Sequence, residues 1–263
     1  MSTVTTTPPT SLPTLDVSGT SRVPFGRLIG VELRKMADTR AGMWLLIAIG
    51  LITVAIVTIF FFAAPDSERT FLNFMGATAT PQGFLLPVLG ILLVTSEWGQ
   101  RTTLTTFTLE PSRPRVIAAK VVAALLLGLV AIVVAVGIAA LATVLAGEPG
   151  AWDNIGVDDF AKFGILQLSG VLQGLAFGLI FLNSAAAIVS YFVLPIAFSI
   201  VATLWSALQD AAPWVDLGTS QQPLFSGVNL TGDQWAQLAT SSAIWILLPF
   251  VAGLVRVMRA ELK

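Results

Sequence analysis

The segment MWLLIAIGLITVAIVTIFFFAA, Met43–Ala64, contains no Asp, Glu, Lys, Arg, His or Pro. An α-helix rises about 1.5 Å per residue, so roughly 20 apolar residues cross a hydrocarbon core about 30 Å thick. Asp66, Glu68 and Arg69 close this segment, and comparable ones follow. Phe71–Thr95 is interrupted by Pro81 and Pro87, and its best apolar part is Phe84–Thr95, which predicts a span of about Met75–Thr95. Val116–Ala146 is long and unbroken; Phe163–Leu182 and Ala185–Leu208 are separated only by Asn183 and Ser184, predicting a tight hairpin. The last span runs from about Ser242 to Val257. Of the 263 residues, 55% are hydrophobic and 11% charged, whereas about 25% charge is usual for a soluble chain. The expectation is an all-α membrane protein with six transmembrane helices.

Several function classes fall away on composition. The chain has no Cys and no His, which removes the common metal sites, thiol nucleophiles, disulfides and imidazole acid–base chemistry. A net charge of -1 gives no footprint for nucleic acid. No ionisable residue falls in the middle of any predicted span, where a charge costs roughly 2.5–3.5 kcal/mol on insertion scales. Proton-coupled carriers and intramembrane proteases usually keep such groups. No GxxxxGK[ST] loop is present to cradle a nucleotide. The chain is expected to supply a pathway and moving parts, with its energy coming from elsewhere.

Orientation follows from the basic residues. With the N-terminus in the cytosol, 14 Lys and Arg divide so that only Arg69 and Lys162 lie outside, and an odd number of spans would break this division. Both termini are therefore expected in the cytosol. Residues 1–21, rich in Ser, Thr and Pro, lack the pattern of a signal peptide and predict a disordered cytosolic tail.

Residues 22–40 precede the first span. On a helix, Phe25, Leu28, Ile29, Leu33 and Met36 share one face and Arg27, Arg34 and Asp38 the other, as in a helix lying in the membrane plane with Arg34 and Lys35 near anionic headgroups. Glu32 projects close to the apolar face. It either reaches water from the edge of the stripe or pairs with a base of the next cytosolic loop. That loop, 96–115, is too long for a turn. Leu104, Phe107 and Leu109 give it an apolar element, which docks a partner or packs under the bundle. Glu110-Pro111 ends the element, Ser112 is placed to cap the third span, and Pro114 fits its first turn.

The sequences VELRKMADTR at 31–40 and EWGQRTTLTTFTLEPSRPR at 97–115, followed by Lys120, resemble type-2 ABC transporter permeases. Those subunits often carry an acidic residue, a Gly, a Thr–Leu stretch and Pro-Ser-Arg followed by Lys here. This chain departs at Gly99-Gln100-Arg101-Thr102, where the family has Gly followed by Thr. The resemblance covers about residues 22–263 and implies a permease domain over 41–263. It implies that 96–115 holds a coupling helix, with Glu97, Arg101, Leu104, Phe107, Arg113 and Arg115 serving a separate ATPase. ATP and Mg would sit on that ATPase, with no cofactor or metal in this chain. A second permease copy, identical or related, and a bacterial plasma membrane are also implied.

Within the bundle, Gly170, Gly174 and Gly178 share one face of the fourth span, with Gln167 in that face and Gln173 at its margin. Such spacing admits a close helix neighbour, from the same chain or another subunit. In the fifth span Pro195, Ser199, Thr203 and Ser206 align. They form a weakly polar pathway wall, or hydroxyls bonded to their own backbone around a kink. Thr231-Gly232-Asp233-Gln234 reads as a capping box opening a helix that runs into the last span. The leading expectation is an ATP-driven export permease for apolar or amphipathic, drug- or lipid-like cargo. An ATPase-independent facilitator or carrier and a non-transporting membrane scaffold are the alternatives, and an enzyme is not expected.

Overall fold

The computed structural model of the chain describes residues 22–225 and 229–260. The predicted tail 1–21 lies outside the described residues, as does Lys263. Among the described residues there is no strand, and six helices are long and apolar enough to cross a membrane.

The first helix, α1 (Phe25–Asp38), stops at Thr39, whose backbone is extended and whose hydroxyl accepts from the Gly42 amide at 3.3 Å to open α2 (Arg40–Ala63). The corner requires glycine at 42, because a Cβ there would lie 2.1 Å from the Met36 carbonyl oxygen. Next comes α3 (Phe71–Gly99), which continues through both Pro81 and Pro87 and begins earlier than the expected Met75. Ending a helix in hydrocarbon would strand several backbone groups, whereas each proline removes one bond. A turn with Arg101 in the left-handed region leads to α4 (Thr103–Leu109), which stops at Glu110 as its sequence predicts. Ser112 holds the cap position of α5 (Arg113–Ala146), but its side chain makes no capping bond. Gly147 closes α5 in the left-handed conformation.

The hairpin is formed by α6 (Val157–Phe181) and α7 (Ser184–Leu204), turned at Leu182, with the Asn183 side chain accepting from Ala186 at 3.0 Å. Contrary to the expected end at Leu208, α7 stops at Trp205, whose extended backbone breaks it. Three short helices follow, α8 (Ser206–Gln209), α9 (Ala212–Val215) and α10 (Leu217–Gln221). The capping box is present: Thr231 and Gln234 bond reciprocally to open α11 (Gly232–Ser242). A π-helical turn, Ala243–Leu247, joins it to α12 (Leu248–Arg259) in one continuous helix. The widened turn sits immediately before Pro249, which has no amide proton to give.

The packing is centred on α3 and α6. Leu86, Leu89 and Leu93 of α3 meet Val171, Leu175 and Leu179 of α6 in one buried cluster. The other long helices surround this pair and keep large apolar side chains exposed, such as Leu51 and Phe62 on α2 and Val133 and Leu145 on α5. That distribution suits a hydrocarbon surround. The glycine face of α6 meets α3 of the same chain: a Cβ at Gly174 would lie 2.1 Å from the Pro87 carbonyl oxygen, one at Gly170 3.3 Å from Pro87 Cγ, and one at Gly178 3.1 Å from the Ile91 carbonyl oxygen.

Candidate functional site

At the end of the bundle that carries α1 and α4, four charged side chains from three long-range positions meet. Glu32 lies on the inner face of α1, Glu97 in the last turn of α3 and Lys120 in the third turn of α5. They are 4%, 5% and 2% exposed. The Lys120 ammonium donates to Glu32 Oε2 at 2.6 Å and to the Leu93 carbonyl at 3.0 Å, and lies 3.1 Å from Glu97 Oε1. Lys35, one turn along α1 and about one-third exposed, donates to Glu32 Oε1 at 2.8 Å and to Glu97. Two acids and two bases cancel, so the cluster is buried without net charge. Burial alone would push the Lys35 ammonium down. The Glu97 and Glu32 carboxylates outweigh that effect and hold its pKa above the usual lysine value. Of the two readings of Glu32, pairing is what the structure contains, with Lys120 inside α5 rather than with a loop base.

The other residues singled out on α1 and the 96–115 loop are placed as follows. Phe25 and Arg34 are exposed on α1, and Ile29 is partly buried against the core. Arg101 is exposed at the turn before α4. On α4, Leu104 is 52% and Leu109 75% exposed, whereas Phe107 is buried beneath the Arg113 guanidinium, 5.3 Å from its ring centre. The loop therefore contains two outward apolar side chains and one inward, Phe107. Arg113 donates to the carbonyls of Val257, Met258 and Ala260 at 2.7–3.0 Å, capping the C-terminal turn of α12. Arg115 bonds Glu110 Oε2 at 2.8 Å and the Val23 carbonyl. Between α1 and α4 lies a cavity of about 540 Å³ with Glu32, Lys35 and Glu97 among its lining and Leu28, Val31 and Leu109 on its walls.

Within the bundle, Gln167 on α6 donates to Gln82 Oε1 of α3 at 2.9 Å, and Gln82 donates to the Ala131 carbonyl of α5 at 3.0 Å. This relay ties three long helices by satisfied amides. On α7, Ser199 bonds the buried Asp216 carboxylate at 3.0 Å, and Asp216 also accepts from the Thr219 amide and hydroxyl at 3.2 and 2.6 Å. Thr203 bonds the Ser199 carbonyl at 2.8 Å instead. Ser206 leaves the stripe, because α7 has ended and it starts α8. Ser199 and Thr203 line a cleft with Pro195 and Asp216.

The partnership of Lys120 with Glu32 and Glu97 has a faint sequence signal, a lone cation between Ile117 and Val121 that no short-range acid neutralises. Ser199 and Asp216 have none, since Asp216 reads as an ordinary loop acid. Among the described residues no group of His, Cys, Asp and Glu has the arrangement of a metal site. No protein-family model matches the chain, and no curated protein matches its sequence.

Proposed function

We infer that the chain is the membrane-spanning permease subunit of an ATP-driven exporter, moving apolar or amphipathic, drug- or lipid-like cargo with a separate ATPase. The observation that carries this reading is that α4 exposes Leu104 and Leu109 while Phe107 anchors it under Arg113, beside the buried Glu32–Lys35–Glu97–Lys120 cluster. A short helix with exposed apolar side chains, anchored through Phe107 and joined directly to α3 and α5, is suited to receive a push from a docked protein and pass it into those helices. In this reading the α4 end and both termini face the cytosol of a bacterial cell, α1 lies in the membrane surface, and α8 to α10 sit on the outer side. The chain itself performs no chemistry: its sequence has no phosphate-cradling loop, so ATP and Mg belong to the partner. A second permease copy would complete the translocation path.

The test is purification of the tagged chain from native membranes in mild detergent, with ATPase activity and co-purifying proteins measured. A P-loop ATPase is expected with the unaltered chain, and Leu104→Asp with Leu109→Asp should reduce its recovery at least about tenfold, a loss of roughly 1.4 kcal/mol or more. Phe107 is no probe of docking, because Phe107→Asp buries a charge against Arg113 and the core. A preparation free of ATPase that still moves cargo would replace this reading with the facilitator.

A further inference from the structure

The cavity of about 540 Å³ between α1 and α4 is a groove that opens to the surface, since Val31 and Leu109 on its walls are exposed. Leu28, Val116 and Ala119 carry the apolar surface inward. The acids in its lining are each paired within the chain: Glu32 and Glu97 with Lys35 and Lys120, and Glu110 with Arg115. Arg27 also lines the groove, is exposed, and has no ion-pair or hydrogen-bond partner for its side chain among the described residues. An exposed arginine needs no partner for its own sake. This one stands beside apolar walls whose other charges are cancelled, so the groove suits an apolar segment carrying one negative charge.

The chain has such a segment close to the groove. Val23 is part of the lining and its carbonyl accepts from Arg115, so the residues that precede it start from the rim. Residues 1–21, outside the described residues, contain a single charged side chain, Asp16. It stands within Leu12-Pro13-Thr14-Leu15-Asp16-Val17, which holds three of the five large apolar residues of that stretch. Seven positions separate Asp16 from Val23, a reach of up to about 23 Å, and Ser18-Gly19 between them is a turn signal.

We propose that the segment Leu12–Val17 folds back into the α1–α4 groove of its own chain, with Leu15 and Val17 against Val31 and Leu109 and Asp16 beside Arg27. In an extended segment Leu15 and Val17 fall on one side and Asp16 on the other, which matches apolar walls with a basic rim. The tether gives the segment an effective concentration of the order of mM, enough for a short sequence that would bind weakly as a free peptide. The docked segment covers Leu109 and so shields part of the face assigned above to the ATPase. That competition rests on the export reading; occupancy of the groove does not.

The chain has no cysteine, so Leu15→Cys with Thr105→Cys, on the groove wall, gives one defined disulfide pair in the full chain in detergent. Its rate of formation under copper–phenanthroline is read by mass spectrometry after trypsin. The reference pair is Leu15→Cys with Gly30→Cys, exposed on α1 and not part of the lining. The groove pair is expected to form at least about tenfold faster. Leu12→Ser with Val17→Ser should slow it at least about fivefold, and Asp16→Lys roughly two- to fivefold, the worth of one exposed ion pair. Arg27→Glu added to Asp16→Lys should restore the rate. The tail substitutions all precede the first helix, so a failure of the bundle to fold cannot imitate their effect. Equal rates for the two pairs, or rates indifferent to the tail substitutions, overturn the proposal. Mixing differently tagged single-cysteine chains tests the remaining occupant: a disulfide formed only between chains gives the groove to the tail of a second copy and overturns it as well. An ATPase-free purification would sink the export reading while leaving these rates as they are.

Discussion

Lys120 is the side chain on which the α4 end depends most. Its ammonium is almost fully buried and lies against carboxylates from two other elements. Removing one partner of a buried ion pair costs about 3–5 kcal/mol because the remaining charges are stranded. Lys120→Met is therefore expected to lower the detergent melting temperature sharply, and adding Glu32→Gln and Glu97→Gln should recover most of the loss. If the triple variant is no better than the single one, stranded charge is not the cause. Lys35 behaves differently with pH. Its pKa is raised in the fold, so its contribution is complete below the ordinary lysine value of about 10.4 and fades as pH climbs through the higher folded value. Melting temperatures near neutral pH and near about pH 11 should separate more in the unaltered chain than in Lys35→Met. Glu32 was legible as an odd residue on an apolar face. Its partner was not, because nothing in the local pattern around 32 registers a lysine 88 positions later.

At the scale of the element, α3 and α6 are held at a distance only glycine permits. Gly174→Ala would drive a methyl group into the Pro87 backbone, where overpacking costs about 1–3 kcal/mol. Gly164→Ala, on the same helix with nothing within 4 Å, should instead be neutral or stabilise by up to about 1 kcal/mol. Parallel thermal melts distinguish the two; equal losses would mean that helix propensity, not the α3–α6 approach, governs both. The glycine spacing was readable in the sequence, but which helix it faced was not. Hydrophobic runs located all six long helices, since length and apolarity are local properties. The ends of α3 and α7 were misjudged for a physical reason. A buried apolar surround carries a helix through Pro81 and Pro87, while Trp205 ends one with no proline or glycine to announce it.

The whole molecule has two unlike ends, one basic and one carrying most of the acidic loop residues. Single cysteines at exposed Ser112 and Asp233 should react with an impermeant maleimide from the cytosolic and outer sides respectively, measured in intact cells and in inverted vesicles. The opposite pattern would reverse the orientation while leaving the fold untouched. The short helices α8 to α10 illustrate what sequence could not supply at this scale. Asp216 looks like a loop residue until folding brings it against Ser199 of α7.

One further consequence lies in the paired arginines at the start of α5. Arg113 grips the last turn of α12, and Arg115 grips Val23 just ahead of α1. Two residues behind α4 thus fasten the first and last described helices to the same spot. During synthesis Arg113 waits for acceptors that emerge 144 residues and more after it. A chain stalled before α12 therefore lacks the carbonyls that hold Arg113 over Phe107, and the support beneath α4 is completed only after α12 has been made. If a partner docks on α4 as proposed, chains that stop short of α12 would offer it a less firmly held helix, a check on length written into one side chain.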